Sequence, residues 1–106
     1  MSSTSAIALS GLVAASTRLD ASAQNVANLE SEGYTPVEVH AEALPQGGVL
    51  AHVTPAELAS DAALAGTVDL TRELLNQQSA RRAYEANLAT LRAADLAEQS
   101  VMDVLG

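Results

Sequence analysis

The last third of the chain carries a repeat that matches the period of a long α-helix. After Asp69, one set of positions recurs at alternating spacings of four and three residues, which places these positions on one side of a helix. Asp69 itself is a residue type that caps helix N-termini. We therefore predict a helix from residue 70 through residue 105, about 55 Å long. The repeat comprises Leu70, Leu74, Gln77, Arg81, Tyr84, Leu88, Leu91, Asp95, Glu98, Met102 and Leu105.

A similar periodicity near the start of the chain predicts another helix. Its positions are spaced by three and four residues, and they are Leu9, Leu12, Ser16, Leu19, Ala23 and Val26. Gly33 follows as a residue that readily takes the left-handed backbone conformation just beyond a helix. We predict this helix from about residue 4 to about residue 29, with a length of about 40 Å.

The two helices are expected to pair as an antiparallel, coiled-coil-like hairpin, which makes the fold mainly α. Hydrophobic residues are 48% of the chain, yet Tyr34 and Tyr84 are its only aromatic residues. Such a composition suits helices that meet along narrow seams. We assign the packing between the helices to Leu9, Leu12, Leu19, Val26, Leu74, Tyr84, Leu88 and Leu91.

Strict alternation of apolar and polar residues between the helices predicts a small β-hairpin. A Pro-Gln-Gly-Gly turn at residues 45–48 separates the two alternating segments. Matching their apolar faces leaves a five-residue loop and pairs Val39 with Val53, Ala41 with Ala51, and Ala43 with Val49. Two strands alone are marginal in water, so the hairpin must pack on a helix or on a neighbouring chain.

Thr54-Pro55-Ala56-Glu57 has the form of a capping box with proline at the first helical position. It predicts a short helix from residue 55 to about residue 65, with an ordered linker as the alternative. The resulting organisation is a paired-helix core from residues 1–32 and 67–106, with an insert at residues 33–66 that holds the hairpin.

The charge of the chain excludes several classes of partner. Its net charge is −8, with five arginines and no lysine, whereas binding to phosphate groups needs clustered cations. We therefore expect no nucleic-acid partner. No apolar run reaches the ~20 residues that span a bilayer, so we also expect no membrane insertion. A removable secretory signal is not apparent, and work outside the cytoplasm would need another export route.

No pattern of catalytic residues is present, and we expect no enzymatic activity and no cofactor. The absence of lysine and cysteine excludes Schiff-base and thiol chemistry. His40 and His52 fall opposite each other in the predicted hairpin, with Glu38 and Glu42 beside them. They could bind a divalent metal or sense pH, but we favour the interpretation that they are polar residues on a solvated sheet face, and we predict no metal site.

Motifs at both ends of the chain resemble those of the bacterial flagellar axial proteins, the rod and hook family. Residues 8–20 read ALSGLVAASTRLD and continue into AQNVAN at 23–28 and Gly33-Tyr34. Residues 68–87 read VDLTRELLNQQSARRAYEAN and match the C-terminal family pattern almost completely. The likeness is closest to the short FlgC-type basal-body rod proteins, and it weakens at residues 29–32.

This resemblance implies a structural, non-enzymatic subunit of the flagellar basal body. Such a subunit would assemble with itself and with other rod or hook-basal-body subunits into a helical axial structure for motility. It would leave the cell through the flagellar type III export apparatus without a cleaved signal peptide. Its location would be the rod, which spans the periplasm.

The resemblance also implies residues that contact other subunits. Asn25 and Asn28 lie where the first helix meets the insert, and capping of that helix is the alternative role for these amides. Arg82, Glu85 and Asn87 belong to the C-terminal motif and are expected to contact neighbouring subunits. A further apolar stripe on the last helix, which includes Ala94, Val101 and Val104, is expected to do the same.

Two other classes of function stay open at this point. A small cytosolic helical-hairpin adaptor that forms closed dimers would explain the acidic surface and the amphipathic helices, but not the paired terminal motifs. A metal-dependent sensor would depend on His40 and His52 alone.

Overall fold

The structure, a computed structural model, describes residues 3–56 and 68–106. Two long helices, α1 (Ser3–Ala27) and α2 (Leu70–Leu105), pack against each other, and strands β1 (Val37–Ala43) and β2 (Val49–Pro55) form an antiparallel hairpin between them in sequence. The N-terminal half of α1 lies beside the C-terminal half of α2, so the helices are antiparallel. The predicted fold class is confirmed, and the molecule measures 64 × 25 × 16 Å.

Local sequence signals explain where the helices end. The Asp69 side chain accepts a hydrogen bond from the Arg72 backbone N–H at 3.2 Å, which caps α2 as predicted. α1 ends at Ala27, and a turn follows in which the Ser31 N–H donates to the Asn28 carbonyl. Gly33 has a φ of 74°, the left-handed conformation that glycine adopts without steric cost.

The hairpin has the predicted register, with Val39 opposite Val53, Ala41 opposite Ala51 and Ala43 opposite Val49. Its tip rests on α1. A Cβ atom on Gly48 would lie 2.8 Å from the Ser10 hydroxyl oxygen, and that oxygen accepts a hydrogen bond from the Val49 N–H at 3.1 Å. The hairpin therefore packs on a helix of its own chain, and this contact stabilises two strands that would be marginally stable alone.

Pro55 belongs to the hairpin rather than to a helix. It is the last residue of β2 and lies opposite Val37, and the N–H of Ala56 extends the pairing by donating to the Pro36 carbonyl at 2.8 Å. The prediction that a short helix begins at Pro55 is wrong, because proline is tolerated at the end of an edge strand. The rest of that predicted helix, at residues 57–65, lies outside the described residues.

Small residues form the contact between α1 and α2. A Cβ atom on Gly11 would clash with the Asn87 side chain, and the Ser22 hydroxyl donates to the Glu73 carbonyl at 3.0 Å. Ala80, midway between Glu73 and Asn87 in sequence, is completely buried. Ala8 and Ala15 continue the same face of α1 at helical spacing and are also buried.

The predicted packing stripes are therefore displaced around both helices. Leu12 is buried, and Leu19, Val26, Leu88 and Leu91 are half-buried. Leu9, Leu74 and Tyr84 are exposed, so the prediction that these three form the helix contact is wrong. The physical reason is that helix axes approach most closely where the facing side chains are small, and alanine, glycine and serine occupy the centre of this seam.

Candidate assembly surfaces and the polar junction

Asn25 joins the three parts of the fold through a buried polar junction. Its Nδ2 donates to the Val37 carbonyl and to Glu73 Oε1, both at 2.9 Å. Its Oδ1 accepts from the Val37 N–H at 2.9 Å and from the Tyr34 hydroxyl at 2.8 Å. These four bonds use both donors and both lone pairs of the amide, and they tie α1 to the first strand and to the first turn of α2.

Asn25 is 1% exposed, so its side chain has no surface to offer a neighbouring subunit. The prediction that Asn25 contacts other subunits is wrong, and so is the view that it caps α1. Its helical spacing from Ser22, which also bonds to Glu73, is a signal that could have placed it in the seam. The periodicity of large apolar residues obscured that signal.

Glu73 is the acidic member of the junction and is 8% exposed. It lies in the first turn of α2, where the unpaired N–H groups of a helix favour a negative charge. Burial, and next the nearby Glu73 carboxylate, raise the pKa of the Tyr34 hydroxyl above its usual value. Tyr34 therefore stays protonated as a donor, a role that supports packing rather than proton transfer.

A cleft of about 380 Å³ opens beside the junction, and its charges are mixed. Arg18 and Arg72 line it together with Glu38, Asp69 and Glu73. Arg72 Nη2 lies 3.6 Å from Glu38 Oε1, and Arg18 Nη2 donates to the Ser79 hydroxyl at 3.0 Å. Because the cations are matched by acids or engaged elsewhere, the cleft lacks the cationic excess that an anionic ligand would need.

The two histidines are cross-strand neighbours, as the predicted register required. Each imidazole faces a carboxylate on the hairpin: His52 Nε2 lies 3.0 Å from Glu42 Oε2, and His40 Nε2 lies 3.6 Å from Glu38 Oε2. Within residues 3–56 and 68–106, no group of three or more histidine, cysteine or acidic side chains is placed to hold a metal ion.

Two other residues that were predicted to contact subunits, Asn28 and Asn87, also make contacts within the chain. Asn28 Nδ2 donates to the Gln24 carbonyl at 2.9 Å, and its Oδ1 accepts from the Ser31 hydroxyl at 3.2 Å. Asn28 therefore takes the helix-end role that was its alternative. Asn87 packs on Gly11 and is half-buried. Asn87 therefore contributes to the seam within the chain, and a contact of its remaining exposed surface with another subunit stays a prediction.

The remaining predicted contacts are available at the surface. Arg82 and Glu85 are exposed on α2, and Ala94 is half-buried near the start of α1. Val101 is 58% exposed and Val104 is 86% exposed. Nothing in the chain itself tests whether these residues touch another subunit, so that role stays a prediction.

The end of α2 extends past the start of α1. Thr4 lies beside an open apolar groove of about 790 Å³ whose other walls include Ala94, Ala97, Val101 and Met102 of α2. We call residues 96–105 the C-terminal overhang. Most of the large apolar side chains exposed on α2 belong to it, and they are Leu96, Val101, Met102, Val104 and Leu105. An apolar helix end of this kind is a typical site of protein–protein contact.

No helix within the described ranges combines the length and the hydropathy needed to cross a membrane. Comparison with models of known protein families gives no match, and comparison with curated protein sequences gives none either.

Proposed function

We propose that this protein is a non-enzymatic structural subunit of the bacterial flagellar basal body, of the rod or hook-basal-body type. It assembles through its terminal helices into a helical axial structure that serves motility. The two terminal motifs, at residues 8–34 and 68–87, support this function because they resemble those of the flagellar axial proteins.

One observation carries the proposal: residues of the two motifs contact one another. Gly11 of the N-terminal motif lies against Asn87 of the C-terminal motif. Asn25 and Tyr34 of the N-terminal motif bond to each other, and Asn25 also bonds to Glu73 of the C-terminal motif. Motif residues that are distant in sequence thus form one packing unit, which supports a shared origin with proteins that carry both motifs.

The exposed apolar overhang supports assembly as the mode of action. A contact between two different surfaces of identical subunits produces a filament when the rotation between subunits does not close. The chain offers no arrangement of catalytic side chains among its described residues that would favour an enzyme instead. Its partners in this proposal are further copies of itself and other rod or hook-basal-body subunits.

The proposed location is the rod of the flagellar basal body, in the periplasm. The type III export apparatus would deliver the chain there without removing a signal peptide. The net charge of −8 disfavours nucleic acids and anionic membrane surfaces as partners.

The same apolar overhang would also fit a small cytosolic adaptor that forms closed dimers. In that case two overhangs would bury each other, and the protein would never leave the cell. The paired terminal motifs favour the axial subunit over this alternative.

Deletion of the gene, with a tagged copy supplied in trans, tests the proposed function. We expect the deletion strain to be non-motile, the tagged copy to restore swimming, and the tagged protein to appear in isolated basal bodies. A His52→Ala copy is a matched control, because this exposed residue lies on the hairpin, away from the helix seam and the overhang. Normal swimming of the deletion strain would refute a required axial role, and purely cytosolic tagged protein would support the adaptor.

A further inference from the structure

A face of α2 far from the C-terminal overhang is also apolar and exposed. Leu74 and Leu75 are 55% and 60% exposed, and the exposed Arg81 and Arg82 follow about two turns later on the same side of the helix. We call these four residues the arginine face. The hairpin packs on α1, and no helix or strand among residues 3–56 and 68–106 covers this side of α2.

Charge is segregated along α2 between these two surfaces. All four arginines of the helix lie at or before Arg92, and the residues that follow include Asp95, Glu98 and Asp103 but no base. The ion pairs of the described residues involve Arg72 and the two histidines as cations, so Arg81 and Arg82 have no acidic partner there. The overhang is therefore apolar and acidic. The arginine face is apolar and keeps an excess of positive charge, because its two arginines outnumber the exposed Glu85 that follows one turn after Arg81.

We infer that the C-terminal overhang of one copy, together with Asp95 directly before it, packs on the arginine face of α2 in the next copy, with Asp95 and Asp103 directed toward Arg81 and Arg82. Burial of the exposed leucine, valine and methionine side chains would drive the contact. The opposite charges would set its orientation. This inference rests on the proposed self-assembly and names the surfaces that carry it.

Repulsion between like charges disfavours symmetric dimers, in which two copies pack through the same surface. Two overhangs packed together would bring Asp103 near its own copy, and two arginine faces would bring Arg81 and Arg82 near theirs. Such juxtapositions reduce the affinity of the wrong pairing. The two surfaces are separated by about 35 Å along the helix, so the overhang of a chain cannot reach the arginine face of the same chain. Each copy that binds therefore leaves one surface free for the next copy. The contact therefore extends into an open chain of subunits.

The test uses two single variants of the whole protein, each with one surface disabled. Leu75→Asp places a carboxylate in the arginine face, and Leu105→Asp places one in the overhang. Val53→Asp is the matched control, because Val53 is an apolar hairpin residue that is similarly exposed. Sedimentation velocity of the purified proteins over a range of concentrations measures association, and circular dichroism shows that each variant is folded.

We expect the wild type and Val53→Asp to form concentration-dependent oligomers, while Leu75→Asp and Leu105→Asp are each monomeric. An equal mixture of the two monomeric variants should form a dimer of about twice 10.8 kDa that does not grow, because one intact interface is available to each pair. Normal association of Leu75→Asp would overturn the inference and indicate overhang-to-overhang dimers. A mixture that stays monomeric, or a wild type that does not associate, would overturn it as well.

A charge exchange keeps the inference testable if either aspartate variant fails to fold. Arg81→Glu with Arg82→Glu should abolish association, and so should Asp95→Arg with Asp103→Arg. All four substitutions in one chain should restore it, and failure of that restoration would refute the pairing. These outcomes are separate from the motility test, since the protein could be required in the flagellum and still use another interface.

Discussion

Gly11 of α1 lies directly against the side chain of Asn87 on α2, so close that a single added carbon atom on Gly11 would overlap it. Moving the Asn87 side chain aside would break the hydrogen bond that its Nδ2 donates to the Ala83 carbonyl at 2.8 Å. This contact marks the point where the two helix backbones approach through small side chains.

Gly11→Ala should therefore destabilise the protein even though alanine is the better helix former. The gain in helix propensity is ~1 kcal/mol, whereas overpacking a tight contact costs about 1–3 kcal/mol. In an Asn87→Ala background the overlap is gone, so the same substitution should become stabilising by up to ~1 kcal/mol. Urea unfolding followed by circular dichroism measures the double-mutant cycle. The same sign of effect in both backgrounds would contradict the contact.

Asn25→Ala should be among the most damaging single substitutions in the chain. It would leave the N–H and carbonyl of Val37, the Tyr34 hydroxyl and the Glu73 carboxylate without their partner. Each buried polar group left unpaired costs about 1–3 kcal/mol, so a total loss of at least ~3 kcal/mol is expected.

Asn28→Ala is the matched control for this prediction, since Asn28 bonds only near the exposed end of α1. Loss of such a local helix-end bond costs about 1 kcal/mol. Urea unfolding of the two variants compares them directly. Similar stabilities for Asn25→Ala and Asn28→Ala would show that the junction contributes little.

The hairpin and the helix cap were predictable from sequence because local rules determine them. Alternation between Val37 and Val53 fixes which side chains share a face, and a one-residue slip would reverse every one of them. The Gly47 and Gly48 pair then sets the loop, and both residues have positive φ angles. Asp69 is likewise a local signal, since a cap needs only the backbone of the next turn.

The seam between the helices was less predictable, for a physical reason. Leucine stripes such as Leu9 and Leu74 indicate burial by hydrophobicity, yet small residues such as Gly11, Ala15 and Ala80 allow the closest backbone approach. Both sets follow the same three-and-four spacing, so periodicity alone cannot choose between them. Which of the two sets is buried depends on how well the surfaces of the two helices fit each other, and neither helix sequence alone determines that fit.

The polar junction could not be derived from either helix alone. Asn25 and Glu73 lie 48 residues apart, and each has the polarity of a surface residue. Their burial becomes favourable only when the first strand brings the Val37 backbone and Tyr34 to the same place, because a buried polar group must find partners. The polarity of Asn25 alone is equally compatible with the intersubunit contact that the resemblance to the axial proteins implies.

The raised pKa of the Tyr34 hydroxyl predicts a loss of stability in alkaline solution. The ordinary tyrosine pKa is 10.0, and burial together with Glu73 raises that of Tyr34 in the folded chain. Folding thus favours the protonated hydroxyl. Its contribution is fully present below the unfolded-state pKa and is lost as the pH rises through the higher folded-state pKa.

The stability difference between the wild type and Tyr34→Phe should therefore be largest at neutral pH, at ~1 kcal/mol for the lost hydrogen bond, and should shrink above a pH of about 10. Urea unfolding from pH 7 to pH 11 measures it. Tyr84→Phe is the control, because it removes the other tyrosine hydroxyl at an exposed position of α2. A difference that stays constant across this range would mean that Tyr34 does not donate its proton to the junction.

The variants Leu88→Asp and Val101→Asp should have different defects, the first in folding and the second in assembly. Leu88 is half-buried along the helix pair, so Leu88→Asp should cost on the order of 3 kcal/mol by burying a charge and should lower the helical signal of the purified protein. Val101 is 58% exposed in the overhang, so Val101→Asp should leave the helicity of the monomer intact. In the proposed rod subunit it should nevertheless prevent incorporation into basal bodies, because the overhang is the surface offered to the next copy.

Circular dichroism and blotting of isolated basal bodies separate the two effects. Equal loss of helicity in both variants, or normal incorporation of Val101→Asp, would contradict the assignment of the overhang to assembly.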